Sequence, residues 1–189
     1  DPSWQLPPEH PDCIATKNEL LNIIDVEDID LNQRWSNAKV YETMAVPVGI
    51  SKTGVMTLDL HDKAHGPHGL VAGTTGSGKS ELLQTYIIAM ATLYHPYEVG
   101  VVIIDFKGGG MANQFRNLPH LMVSITNIDG REINRSLRSI KAELKKRQYL
   151  FAQADVNHID KYILKFRKGE VKEPLPHLIL IVDEFAELK

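Results

Sequence analysis

From Ala45 onward the chain alternates between short apolar runs and stretches of helical periodicity. Ala45 to Ile50 and Val55 to Leu60 read as two strands, and Ser51-Lys52-Thr53-Gly54 between them reads as a hairpin turn. A short apolar strand follows at Leu70 to Ala72, then a helix from about Lys79 to Leu93, and then a strand at Val99 to Asp105. A further strand is predicted at Leu121 to Ile125, a long helix from about Asp129 to Ala154, and a shorter helix from Asn157 to Lys168. His177 to Val182 is a continuous apolar run, the pattern of a strand buried on both faces. In the long helix Ile133, Leu137, Ile140, Leu144 and Phe151 share one face at about 100° per residue, with Arg131, Arg135, Arg138 and Lys145 opposite. Strands that alternate with helices predict an α/β fold, a parallel sheet covered by helices and here preceded by a β-hairpin.

Upstream of Ala45 the pattern fades. Pro2, Pro7, Pro8 and Pro11 mark a loosely tied arm, while Leu20 to Ile24, the acidic segment Asp25 to Asp30 and Arg34-Trp35 read as an extension packed on the core. The expected division is therefore a linker and extension over 1–44 and a domain over 45–189.

Composition narrows the class. The 189 residues are 43% hydrophobic and 24% charged, enough for one sizeable core. No run approaches the roughly 20 apolar residues of a membrane helix, and Asp1-Pro2-Ser3-Trp4 is no signal-peptide start, so any membrane attachment is expected outside these residues. Cys13, the single cysteine, has no internal disulfide partner, in keeping with a reducing compartment. A net charge of -3 gives no global attraction to nucleic acid.

The chemistry concentrates in Gly73-Thr74-Thr75-Gly76-Ser77-Gly78-Lys79-Ser80, directly after an apolar run and at the opening of a predicted helix. Glycines let successive N–H groups turn inward, and a helix N-terminus beneath them makes an anion-holding concavity. Lys79 supplies a positive charge for the β- and γ-phosphates of ATP, and the Ser80 hydroxyl is a hard oxygen ligand for Mg2+. The four specified positions match by chance in about one chain in a hundred of this length, so a merely glycine-rich turn is the weaker reading.

A second element lies at the end of the last apolar strand. Asp183 and Glu184 follow Leu178 to Val182 at the carboxyl edge, where ligands bind in such sheets. Asp183 suits the magnesium shell, and Glu184 suits the orientation of an attacking water. His65 and His68 are spaced for a shared metal, but Gly66-Pro67 prevents helical presentation, and a loop seating the following strand is the favoured reading. The basic face of the long helix suits either phosphates or an acidic neighbour, and equally a solvated surface.

Leu70 to Glu81, Leu118-Pro119-His120-Leu121, Glu143 to Arg147, Asn157-His158-Ile159 and Asp183 to Leu188 together resemble the FtsK/SpoIIIE ATPases. The resemblance runs from about Ala45 to the end and extends the phosphate-binding stretch to Glu81. Within that family Asp105-Phe106-Lys107-Gly108-Gly109-Gly110-Met111 and His65 to Gly69 are similar to the type VII secretion ATPases, particularly the EssC type of Gram-positive bacteria. It implies a RecA-like P-loop fold, with Lys79 and Glu184 catalytic and Ser80 and Asp183 on the metal. It also implies one of several tandem motor domains on the cytoplasmic side of the bacterial membrane, within a membrane secretion complex. The implied partners are sister ATPase domains or neighbouring subunits and small helical secreted proteins. DNA translocation and a regulatory nucleotide-binding module with little turnover stay open as alternatives. In such folds a later strand lies between the two motif strands, so the C-terminal part of the sheet is expected to be missing here and the isolated piece to be inactive.

Overall fold

A computed structural model describes residues 23–24, 30–51, 53–106, 108–126 and 130–183, with side chains in the last stretch from 134 on. The expectations for residues 1–22, for Asp25 to Ile29, for Lys52, for Lys107, for residues 127–129 and for Glu184 to Lys189 lie outside the described residues. The chain forms two compact units, residues 1–94 and 95–189.

The first unit is built on a hairpin. β1 (Ala45–Ser51) and β2 (Gly54–Asp59) pair antiparallel, from Ala45 opposite Asp59 to Ser51 opposite Gly54, with a register shift between Pro47 and Gly49. Proline cannot donate to a ladder, and a bulge absorbs that defect. α1 (Leu31–Asn37) is a helix that the mixed sequence of this stretch left unclassified. Its start is set by Asp30, whose carboxylate accepts the Gln33 N–H at 3.2 Å. The Trp35 indole then ties α1 to the carbonyl of Ala91 in α2 (Lys79–Leu93), at 3.1 Å. α2 buries Tyr86, Ile87, Ala89, Met90 and Ala91 and packs against β1. Just beyond it, the Tyr94 hydroxyl donates to the Ala45 carbonyl at 3.0 Å.

Asp59 closes the open end of the hairpin. Its carboxylate accepts from Thr43 Oγ1 at 2.6 Å and from the Met44 and His61 amides at 3.0 and 2.9 Å, and its own N–H donates to His65 Nδ1 at 3.0 Å. His65 is thus part of the loop that leads from the hairpin toward the glycine-rich stretch.

The second unit is a three-stranded parallel sheet in the order β4-β3-β5. Its strands are β3 (Val99–Asp105), β4 (Leu121–Thr126) and β5 (His177–Asp183). β3 is buried at every position, as an unbroken apolar run demands. Gly100 sits where Met122 and Pro176 lie close to the backbone, so that a Cβ there would displace the Met122 side chain. α3 (Gly110–Gln114) packs on β3 and β4. α4 (Gly130–Gln153) and α5 (Ile159–Arg167) complete the unit. Buried Glu98, just before β3, pairs with Arg167 at the end of α5, Nη2 to Oε2 at 2.8 Å.

Three expectations are corrected. β5 is not buried on both faces: only Ile179 and Ile181 are buried and Leu180 is 47% exposed, because burial depends on what covers each face and not on an apolar run alone. Leu70 to Ala72 is not a strand: Leu70 is 87% exposed and the segment joins no ladder among the described residues. Apolar composition makes a strand only where a neighbour supplies backbone partners, and pairing is decided by tertiary structure. The apolar stripe of α4 is buried over only part of its length. Leu137 and Leu144 are exposed, whereas Phe151 packs with Leu150 on a cluster of Ala154, Tyr162 and Leu175. Arg135, Arg138 and Lys145 of the basic face are exposed, whereas Arg147, which lies outside that face, is buried, donating from Nη1 to the Pro176 carbonyl at 2.6 Å and from Nε to Glu143 at 2.8 Å.

Candidate phosphate-binding loop and carboxylate edge

The stretch from Gly73 to Gly78 is an exposed turn in front of α2. Gly76 and Gly78 adopt φ of +79° and +89°, a left-handed conformation that an L side chain resists. At Gly73 the constraint is contact: a Cβ there would collide with Ser77 Oγ. Ser77 N–H donates to the Thr74 carbonyl at 3.1 Å and tightens the turn. Thr74, Thr75 and Gly76 form its exposed crest.

Gly78 is the N-cap of α2 and offers no side chain to cap it. The first bond of the helical ladder runs from Leu82 N–H to the Gly78 carbonyl at 2.9 Å. The N–H groups of Lys79, Ser80 and Glu81 therefore precede the ladder, at the positive end of the helix dipole. Lys79 reaches back over the loop, its ammonium donating to the carbonyls of Gly73 at 2.7 Å and Thr74 at 3.0 Å. Two of its three donors are used there, so the loop and its cation form one anion-facing structure. Ser80 is half-buried on the first turn and Glu81 is exposed beside it.

In the second unit Asp183 ends β5, half-buried, and is in register with Asp105 at the end of β3. Asp105 is 1% exposed, and its Oδ2 accepts the Met111 N–H at 3.2 Å. Sequence reading passed over Asp105 as a site residue. The signal was present, because an acid closes the apolar run Val99 to Asp105 just as Asp183 closes its own. Beyond it Gly108 and Gly109 adopt left-handed φ of +93° and +86°. Ser80 and Asp183 offer hydroxyl and carboxylate oxygens, hard donors suited to Mg2+ and not to a thiophilic metal.

The model of the FtsK/SpoIIIE family matches residues 26–189. The chain belongs to that family. Among FtsK/SpoIIIE relatives, the type VII secretion system protein EssC of Staphylococcus aureus strain Mu50 is 56% identical over 180 residues, 95% of this chain. The chain spans 12% of the length of that relative. The cytoplasmic domain of the Thermomonospora curvata type VII secretion ATPase EccC superposes with a TM-score of 0.74 at 29% identity, covering 94% of this chain and 21% of that one. EccC ATPases 2 and 3 from the same organism, solved in complex with a signal sequence peptide, superpose with a TM-score of 0.62 at 28% identity, over 74% of this chain and 26% of that one. The α/β architecture with its parallel sheet and preceding hairpin is that of a P-loop ATPase domain. Among the described residues no helix is long and apolar enough to cross a membrane.

Proposed function

We propose that this chain binds ATP with Mg2+ through Gly73 to Glu81 and serves as an ATP-hydrolysing motor domain of a type VII protein secretion ATPase. The observation that carries the reading is the loop itself: left-handed glycines, an α2 N-terminus without a side-chain cap, and Lys79 folded across it. Such a loop binds phosphate by backbone donors and the helix dipole, and Lys79 adds the charge that a triphosphate needs. Ser80 and Asp183 would hold the magnesium, which when bound neutralises charge developing on the phosphates. Glu184, adjacent to Asp183 in sequence, orients and polarises the attacking water.

Identity of 56% to EssC favours protein export over DNA translocation. In this reading 45–189 is the motor domain and 1–44 its extension, and the domain works on the cytoplasmic side of the membrane. It acts beside sister ATPase domains on small helical secreted proteins. Calorimetric titration of ATP into the parent protein and Lys79→Ala tests the site. Binding weakened about 10- to 100-fold with an unchanged melting temperature is expected, since a charged hydrogen-bonding group is lost from the ligand and not from the core. Equal affinities would refute the assignment.

A further inference from the structure

A carboxylate outside the proposed nucleotide contacts stands beside Asp183. β3 and β5 stay in register from Val99 opposite His177 to Asp105 opposite Asp183, so the two strands end level. Neighbouring strands lie about 4.8 Å apart, and residues level with one another point to the same face. Asp105 and Asp183 are therefore adjacent acids at one carboxyl edge, but their surroundings differ. Asp183 is half-buried and accessible to a ligand, whereas Asp105 is 1% exposed and engages the Met111 amide at 3.2 Å. Asp105 is too covered to enter a solvated metal's coordination shell itself.

Its bond to Met111 crosses the turn 106–110 and fixes the first turn of α3 to the end of β3. Thr126 of β4 and Asn113 of α3 lie close against the same turn: a Cβ on Gly109 would lie 3.0 Å from Thr126 Cγ2 and 3.4 Å from Asn113 Nδ2. The glycine turn is thus flanked on two sides. A carboxylate shielded from water acts on its neighbours through a lower effective dielectric than a surface charge does.

We propose that Asp105 is a positioning residue for the divalent cation at Asp183. Its buried charge deepens the negative potential at the carboxyl edge, and its bond to Met111 keeps the glycine turn in place beside that edge. The inference rests on the reading of Asp183 as a metal ligand.

The test is manganese binding followed by electron paramagnetic resonance in the presence of ATP, for the 189-residue protein, Asp105→Asn and Asp183→Asn. It is paired with ATP titration in EDTA. Asp105→Asn is expected to weaken Mn2+ binding about tenfold while leaving metal-free ATP affinity unchanged, a split that a structural defect would not produce. Unchanged Mn2+ affinity in Asp105→Asn alongside its loss in Asp183→Asn would overturn the inference and leave Asp183 in place. Unchanged affinity in both variants would overturn the reading of Asp183 as well. The parent protein gives a second readout that does not depend on the variant folding. Mn2+ with ATP should broaden the Met111 amide resonance far more than that of Lys168, which follows the helix paired to Glu98 at the opposite end of β3. Equal sparing of the two amides would sink the proposal.

Discussion

At the scale of single residues, Asp59 shows how hydrogen bonds set a carboxylate's charge. Burial pushes its carboxyl up, but the bonds from Thr43, His61 and Met44 outweigh that and hold it below its ordinary value. A carboxylate with a lowered folded pKa stabilises the protein above the unfolded value of about 3.9, and that contribution is lost as pH falls through the folded value. Asp59→Asn should therefore flatten the loss of stability below about pH 4, read as the urea midpoint between pH 3 and 6. An acid limb unchanged in the variant would assign the sensitivity to other groups. Glycines give a second contrast. Gly108→Ala meets open space and suffers only backbone strain, whereas Gly109→Ala adds a tight contact with Thr126 to the same strain. Gly109→Ala should lower the melting temperature more than Gly108→Ala, and the reverse order would contradict the close approach of Thr126.

At the scale of elements, α4 separates periodicity from packing. Its stripe of apolar residues forecast the helix, yet only the end near Phe151 is covered, by the cluster around Tyr162. Leu137→Ala and Leu144→Ala, at exposed positions, are expected to change stability by no more than about 0.5 kcal/mol. Phe151→Ala, which opens a packed site, is expected to cost about 2 kcal/mol or more. Comparable losses at all three positions, measured by denaturant unfolding, would mean that the exposed stretch is covered in solution. Legibility differed among elements for the same reason. The bounds of α2 and β3 were read from sequence because the glycine loop marks where α2 opens and a run of apolar residues closed by Asp105 marks β3. α1 was not, because its short mixed sequence forms a helix through the Asp30 cap and the Trp35 bond to Ala91.

At the scale of the whole molecule, the proposed chemistry divides binding from turnover. Glu184→Gln should retain ATP affinity and lose roughly 100- to 10,000-fold in phosphate release, because it removes a proton acceptor and not a phosphate contact. A variant as fast as its parent would give the glutamate another role. Charge on the γ-phosphate in the transition state calls for a cation beyond Lys79 and magnesium, and in ring motors a neighbouring subunit supplies an arginine. Turnover per site is therefore expected to rise when several domains are tethered, compared with the 189-residue chain at matched site concentration. Equal turnover would remove the dependence on a neighbour.

The sequence by itself determined the glycine loop proposed to bind phosphate, because Gly76, Gly78 and Lys79 shape it through local backbone freedom and a charge a few residues away. It also determined the hairpin, the long helices and the strands β3, β4 and β5, whose patterns have periods short enough to be read along the chain. Tertiary structure alone decided which apolar runs found partners, leaving Leu70 exposed while β3 is fully buried. It alone placed Asp105 level with Asp183, since strand register is fixed by contacts between residues nearly eighty positions apart. Arg147 went inside for the same reason: its partner at Pro176 is brought near only by folding. Local patterns constrain the backbone; burial and electrostatic neighbourhood depend on what the fold brings alongside.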